Sequence, residues 1–242
     1  MSIQAQDFQA TSLADWARSD QYHNSFLLPA DTVLDNALKN SAAHGLPDIA
    51  VSAAQGKFLS LLVRSIGAKK ILEVGTLGGY STIWLCRALP DDGKLVTLEL
   101  SPKHAAVAVE NLTAAGQSSK AEVVVHYIPY PRNVVVGPAL ESMIAMKPAP
   151  GELFDFIFID ADKPGNKAYF TEAKRLVRKG GVIIVDNVVR YGRVGNPDYS
   201  DPMVEGVRAL LEAVKGDPEV DATTIGTVGD KGYDGFMYMV RQ

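Results

Sequence analysis

The chain has 242 residues, of which 47% are apolar and 21% are charged, and its formal charge is −4. This composition is typical of a globular protein. The length predicts one domain over residues 1–242, with a helical cover at 1–50 and a cofactor-binding core at 51–242. The negative charge argues against a nucleic-acid surface, because such domains are usually basic.

Several other classes are also excluded. The N-terminus shows no basic flank followed by an apolar core, and no apolar run reaches the ~20 residues of a membrane span. Cys86 is the only cysteine, so we expect no internal disulfide framework, and the four histidines lack the spacing of a zinc site. We therefore expect a cytoplasmic protein with neither nucleic-acid nor membrane partners.

Helices are predicted before the first strand. Asp31 is placed to cap a helix that carries Leu34 on its apolar face. Ser52, with Gln55 three residues later, has the pattern of a capping box and predicts the start of another helix, which Gly67 is expected to end. Such helices usually cover the sheet, and contact with a second subunit is the alternative.

From Lys69 onward, predicted strands and helices alternate, as in a parallel sheet with crossover helices. Strands are predicted at K-K-I-L-E-V-G, at K-L-V-T-L-E-L, at 154–160 and at 182–186. A further strand is expected in either A-E-V-V-V-H-Y or N-V-V-V, and two β-rich runs around a Gly/Asp turn predict a closing hairpin. The fold class is therefore α/β.

A glycine-rich turn, E-V-G-T-L-G-G-Y-S, joins the first strand to its helix. Glycines allow the backbone to turn sharply and to approach a ligand closely. Glu99 ends the second strand 24 residues after Gly75, and in nucleotide-binding α/β folds an acid about 20 residues on binds ribose hydroxyls. We predict a ribose-bearing cofactor, with tight strand–helix packing alone as the alternative.

The glycine spacing G-x-x-G-G differs from the pyrophosphate-binding pattern G-x-G-x-x-G. Glu73, at the end of the first strand, would repel a pyrophosphate but suits an ammonium or a sulfonium, as in S-adenosylmethionine. Ser81, near the start of the helix, is placed to hydrogen-bond the carboxylate of such a ligand.

Acidic side chains end two predicted strands. Asp160 follows one of them, and Asp186 and Asn187 follow the next. Ligands of open α/β sheets bind beyond the carboxyl ends of the strands, so these side chains should converge. Three oxygen ligands of this kind suit Mg²⁺ or a similar ion. Helix capping, the alternative, would account for only one of the acids.

Four segments carry a resemblance to a known family: L-E-V-G-T-L-G-G-Y-S-T-I-W-L, F-I-D-A-D-K, D-N-V-V-R-Y-G and V-G-D-K-G-Y-D-G-F. From about residue 50 to its end, the chain resembles the metal-dependent, S-adenosylmethionine-using O-methyltransferases of the catechol and caffeoyl-coenzyme-A type, especially their microbial small-molecule branch. The resemblance implies a Rossmann-like three-layer sandwich with a seven-stranded, mostly parallel sheet, an antiparallel last strand and extra N-terminal helices. It also implies a homodimer.

The resemblance further implies a role for individual residues. The implied metal ligands are Asp160, Asp186 and Asn187, and the implied catalytic base is Lys163. The implied cofactor contacts are Val51, Glu73, Gly75, Thr76, Ser81, Glu99, Ala139 and Asp160. The implied reaction is Mg²⁺-dependent methylation of a phenolic hydroxyl on a small ortho-dihydroxy aromatic. Residues 127–133, with prolines at 129 and 131, depart from the family pattern, which predicts an inserted loop or a shifted alignment.

Two other functions stay open. A NAD(P)-dependent oxidoreductase would share the α/β pattern and Glu99, but it gives the three oxygen side chains no role. A non-catalytic cofactor-binding protein of the same fold is disfavoured, because Lys163 accompanies all three oxygens. From the residues alone, Lys163 is equally well a surface lysine paired with Asp162, which we interpret as structural. Arg190, Tyr191 and Arg193 lie in the loop that follows Asp186 and Asn187. This loop either forms one wall of the acceptor pocket or is solvated.

Overall fold

The structure is a computed structural model that describes residues 10–124, 139–149 and 151–242. Its strands are β1 (Lys70–Val74), β2 (Lys94–Leu98), β3 (Ala121–Val124), β4 (Phe154–Ile159), β5 (Val177–Val185), β6 (Val220–Gly229) and β7 (Gly232–Arg241). They form one sheet in the order β3-β2-β1-β4-β5-β7-β6. Strands β1 to β5 pair in parallel, whereas β7 is antiparallel to both of its neighbours. The predicted sheet, with its antiparallel last strand and closing hairpin, is confirmed.

Helices cover both faces of this sheet. In the described part of the chain they are α1 (Leu13–Leu27), α2 (Thr32–Ala43), α3 (Ala53–Ser65), α4 (Tyr80–Ala88), α5 (Pro102–Ala114), α6 (Ala139–Ala145), α7 (Asn166–Leu176) and α8 (Pro202–Val214). Side chains of α2 to α5 pack on one face, and side chains of α6 to α8 pack on the other. The result is the expected Rossmann-like three-layer sandwich.

The sheet has one hydrophobic core on each face, because successive side chains along a buried strand point to opposite faces. In β4, Phe156 and Phe158 lie in the core beneath α3 and α4, whereas Ile157 and Ile159 lie in the core beneath α7 and α8. All four side chains are fully buried. An uninterrupted apolar run is therefore what a central parallel strand requires, because both of its faces are covered.

One predicted strand boundary needs correction, and one of two alternative strand positions is confirmed. Strand β5 begins at Val177 and not at Val182, because its pairing with β4 shifts register between Phe154 and Phe156. The first of the two candidate positions for the third strand is confirmed at Ala121–Val124. The second candidate, together with the expected insertion at 127–133, lies outside the described residues.

The predicted Asp31 cap and Gly67 helix end are confirmed, whereas only the Ser52 half of the predicted capping box is present. Asp31 caps α2 by accepting N–H bonds from Val33 and Leu34. Ser52 caps α3 by accepting the backbone N–H of Gln55, and Gly67 follows the end of α3 with a φ of +62°. None of the described helices combines the length and apolar character needed to cross a membrane.

Candidate active site

Four candidate residues stand in a row at the carboxyl edge of the sheet. Each of them directly follows the last residue of its strand. Its backbone N–H donates one further hydrogen bond to the neighbouring strand of the sheet. The backbone N–H groups of Glu99, Gly75, Asp160 and Asp186 donate to Val124, Leu98, Val74 and Ile159 at 2.8–3.0 Å. Neighbouring strands are about 4.8 Å apart, so the row joins the expected cofactor residues to the expected metal residues, with Asp160 between them.

The glycine turn between β1 and α4 is shaped by close packing. Gly75 has a φ of +98°, and a Cβ at this position would overlap the carbonyl oxygen of Asp160. A Cβ on Gly78 would overlap the hydroxyl of Ser41 in α2. Glycine is therefore required at both positions by contacts within the protein.

Glu99 is buried and holds this turn in place. One carboxylate oxygen accepts the N–H groups of Thr76 and Leu77 at 3.2 and 2.7 Å. The other accepts the N–H groups of Leu100 and Ser101 at 3.0 and 2.9 Å. The candidate ribose-binding carboxylate is thus fixed by four backbone donors, which orient it before any ligand binds.

Glu73 is fully buried beneath the turn, among hydroxyl groups. Ser81 donates to one of its carboxylate oxygens at 2.6 Å, and Thr82 and Thr97 donate to the other at 2.5 and 2.7 Å. Thr76 and Thr97 share a further hydrogen bond of 2.6 Å. Burial raises the pKa of Glu73 to about 7, against the opposing effect of the three hydroxyl donors. In this arrangement the Ser81 proton is committed to Glu73, which leaves the Ser81 oxygen available as an acceptor.

Two of the candidate metal residues, Asp160 and Asp186, lie beside a lysine. The Nζ atom of Lys163 donates to Oδ1 of Asp160 at 2.9 Å, and Lys163 is only 5% exposed. Asp186 is also buried, and the N–H of Asn187 donates to its Oδ1 at 2.9 Å. Burial, and then the negative charge of Asp160, raises the pKa of Asp186 to about 7, whereas the charge of Lys163 opposes the rise. Lys163 is therefore a buried partner of Asp160 and not a surface partner of Asp162.

The turn that carries Lys163 is fixed from two sides. Asp162 caps a single 3₁₀ turn at Lys163–Gly165 by accepting the N–H of Gly165 at 3.1 Å, and it also accepts the Tyr169 hydroxyl. Gly206 of α8 packs against the backbone of Lys163, because a Cβ there would overlap the Lys163 carbonyl oxygen. Asp162 has the structural role that its sequence context predicts.

The loop after Asp186 has an unusual backbone. Asn187, Arg190 and Tyr191 all have φ between +53° and +59°, a region that non-glycine residues seldom occupy. Oδ1 of Asp234 in β7 accepts the N–H groups of Val189 and Arg190 at 3.1 and 2.8 Å, which holds this conformation. These two hydrogen bonds therefore fix the backbone conformation of the loop.

The last two predicted cofactor residues lie at helix starts. Val51 is buried immediately before the Ser52 cap of α3, and Ala139 is the first residue of α6. Both adjoin the sheet, Val51 within the core beneath α3 and Ala139 against the core beneath α7.

The donor set at the metal corner suits a divalent cation. The candidate ligands are the carboxylates of Asp160 and Asp186 and the side-chain amide of Asn187. Among the described residues, no group of three or more His, Cys, Asp or Glu side chains has metal-binding geometry. The carboxylates of Asp160, which is partly buried, and Asp186, which is buried, lie at the ends of adjacent strands and interact electrostatically, with Lys163 as the positive charge beside them. Oxygen donors with excess negative charge are what Mg²⁺ prefers.

Several residues that support the site were not predicted from the sequence. Thr82 and Thr97 bind Glu73, Asp234 fixes the loop after Asp186, and Gly206 fixes the Lys163 turn. The side-chain amide of Gln55, expected only to complete a helix cap, donates to Oδ2 of Asp186 at 2.8 Å. These contacts join segments far apart in the chain, so no local pattern signals them.

The sheet order and the row of residues at its carboxyl edge define a cofactor-binding α/β protein. A family model described as O-methyltransferase matches residues 25–239. The catechol O-methyltransferase of Mycobacterium tuberculosis is 47% identical over 218 residues, or 90% of this chain and 92% of that protein. The chain therefore belongs to the O-methyltransferase family and is a methyl-transferring enzyme.

Solved structures agree with this assignment. An O-methyltransferase from Bacillus cereus, in complex with SAH, is 46% identical with a TM-score of 0.86, over 96% of this chain and 100% of that chain. The O-methyltransferase TomG from Streptomyces achromogenes, in complex with SAM, is 43% identical with a TM-score of 0.86, over 96% of this chain and 100% of that chain. Family membership decides against the oxidoreductase and non-catalytic alternatives.

Proposed function

We propose that this enzyme transfers a methyl group from S-adenosylmethionine to a phenolic hydroxyl of a small ortho-dihydroxy aromatic in the cytoplasm. The proposed reaction requires a divalent cation, for which Mg²⁺ is the first candidate. The observation that carries the proposal is the row at the sheet edge, where Asp160 stands between Gly75 and Asp186. A methyl donor beside β1 and β2 would then lie next to a cation beside β4 and β5.

The cofactor part of the proposal is supported by SAH and SAM in the two related structures. In this chain, Glu99 offers its fixed carboxylate to the ribose, and Gly75 and Thr76 line the turn beneath it. Ser81 and Glu73 are proposed to contact the amino-acid end of the cofactor, and Val51, which precedes α3, is a third proposed contact. Ala139 is proposed as a contact from the opposite layer, through α6.

Asp160, Asp186 and Asn187 are the proposed metal ligands. A divalent cation held by them would lower the pKa of a phenolic hydroxyl and fix its direction. Lys163, bonded to Asp160, is the group placed to receive the phenolic proton at Nζ, a step that requires its amine to be neutral when the phenol binds. The phenolic oxygen then forms a bond to the methyl carbon as the carbon–sulfur bond breaks, which leaves a methyl ether and the neutral thioether.

A homodimer is also proposed, and its support is an apolar surface on α1 and β6. Helix α1 has no buried residue, and Tyr22, Phe26 and Leu27 are 65–72% exposed. Strand β6, ten residues long, is the edge of the sheet and exposes Ile225 and Val228. Apolar patches and long edge strands are usually covered, here by a second copy. Light scattering should give the mass of two chains, reduced to one by Phe26→Asp; a wild-type mass of one chain contradicts the dimer.

The activity is tested by incubating purified protein with S-adenosylmethionine, Mg²⁺ and a panel of catechols, with mass-spectrometric detection of one added methyl group. Matched monophenols and chelator-treated samples are the controls. We expect methylation of ortho-diols only, loss on chelation and recovery on adding Mg²⁺. Equal methylation of monophenols, or full activity in chelator, contradicts the proposed substrate class or metal requirement.

A further inference from the structure

Gln55 connects the helical layer to the candidate metal corner. It lies in the first turn of α3, where its backbone N–H donates to the Ser52 hydroxyl at 3.1 Å. Its side chain extends from the helix to Asp186, 131 residues away in the chain, and the amide nitrogen donates to Oδ2 at 2.8 Å. The contact is specific in direction, since only the amide nitrogen can donate to a carboxylate.

The two oxygens of Asp186 are each held by one donor. Oδ1 accepts the backbone N–H of Asn187, and Oδ2 accepts Gln55. A carboxylate has about four lone-pair sites, so each oxygen keeps one for a cation. Gln55 is also neutral, in contrast to Lys163 at Asp160. It therefore orients Asp186 without repelling a positive ion.

The position of Gln55 is itself determined by packing. The next residue, Gly56, lies against Trp84 of α4 so closely that a Cβ would overlap the indole ring. Phe58 packs on Phe236 of β7, with ring centroids 5.1 Å apart. Helix α3 is thus held to both α4 and β7, and the Gln55 side chain is delivered to Asp186 by a rigid element.

We propose that Gln55 is a positioning residue of the metal site, which holds Asp186 in the orientation that binds the cation. The inference rests on the proposed metal-dependent function. Hydrogen bonds that orient metal ligands contribute about 10- to 100-fold to metal affinity or activity. Loss of the Gln55 amide should therefore weaken metal binding without weakening cofactor binding to the same extent.

The test compares wild type with Gln55→Met, which keeps the side-chain length and removes the donor. Gln117→Met is the matched control, because Gln117 donates to the carbonyl of Ala115 in a helix end away from the site. The dissociation constant of Mn²⁺ is measured by electron paramagnetic resonance, and that of SAH by calorimetry. Gln55→Ala is the second variant, should the methionine disturb folding as judged by circular dichroism.

We expect wild type and Gln117→Met to bind Mn²⁺ alike, and Gln55→Met to bind it about tenfold more weakly or worse, with unchanged SAH affinity. Wild-type Mn²⁺ affinity in both Gln55 variants overturns the inference and leaves the proposed function intact. Equal losses of Mn²⁺ and SAH affinity also overturn it, because they indicate a general role in holding α3. If wild type binds no Mn²⁺, the proposed metal dependence fails, and the inference fails with it.

Discussion

Gly206 of α8 packs directly against the backbone of Lys163, with a hypothetical Cβ only 2.7 Å from Cα of Pro164. Backbone atoms cannot swing aside as a side chain can, so an alanine at 206 must displace either α8 or the turn. The position of Lys163 relative to Asp160 therefore depends on a glycine 43 residues further along the chain.

Gly206→Ala should lower turnover by displacing Lys163. Forcing an extra carbon into a packed site costs about 1–3 kcal/mol, so we also expect reduced stability. Gly195→Ala is the control, because a Cβ at Gly195 meets nothing within 4 Å and its φ is not positive. Steady-state kinetics and thermal melts check both variants. Wild-type turnover in Gly206→Ala would show that the turn does not need this contact.

Lys163→Met should keep cofactor binding and lose turnover. Removal of a general base lowers rates by about 10²- to 10⁴-fold, and the methionine preserves the length of the side chain. Lys167→Met, four residues further on and exposed, is the control and should retain activity. Single-turnover rates and SAH calorimetry separate the effects. Unchanged turnover in Lys163→Met would exclude Lys163 as the base.

Glu99→Gln should weaken SAH binding. The carboxylate accepts four backbone N–H groups, whereas an amide turns its NH₂ group toward two of them. Hydrogen bonds to a charged group contribute about 1.5–3 kcal/mol, so we expect about a tenfold loss of affinity or more. Glu212→Gln, on the exposed face of α8, should bind SAH as wild type does. Equal affinities in calorimetry would remove Glu99 from the cofactor site.

The pH dependence of stability should carry the signature of Glu73. Its pKa is raised from 4.5 to about 7 in the folded state. Between these values the folded protein binds more protons than the unfolded chain, so stability falls as the pH rises through this window. At 1.36 kcal/mol per pKa unit the contribution is about 3 kcal/mol.

Urea denaturation at pH 5 and pH 8 should therefore show wild type losing stability relative to Glu73→Gln at the higher pH. The comparison with the variant cancels the titration of other acids that Glu73 does not contact. Glu122→Gln, exposed on β3, should follow wild type at both values. An equal difference between wild type and Glu73→Gln at both pH values would show that folding does not raise the pKa of Glu73.

Much of the fold was predictable because its central strands are buried on both faces. Runs such as F-D-F-I-F-I stand out in the sequence, and the acids after them mark the carboxyl edge. The start of β5 was not predictable, since R-K-G-G has no strand pattern and joins the sheet only through a register shift against β4. Strand β6 is exposed along nearly its whole length, so it lacks the alternation that marks a half-buried strand.

The positions of Asp160 and Asp186 at one edge of the sheet were predictable, because each directly follows a buried strand. The site was not predictable where a distant segment completes the contact. Gln55 satisfies a local capping pattern, and nothing near it in the sequence indicates a bond to Asp186. Glu73 was expected to face a ligand, yet its depth in the sheet gives it three hydroxyl partners within the protein.

The most direct test of the account is a crystal of this protein grown with Mn²⁺ and SAH, examined for anomalous scattering at the manganese edge. We predict one strong peak enclosed by side-chain oxygens of Asp160, Asp186 and Asn187, next to SAH lying over Gly75 and Glu99. A structure with SAH in place and no manganese at those three oxygens would contradict the central claim.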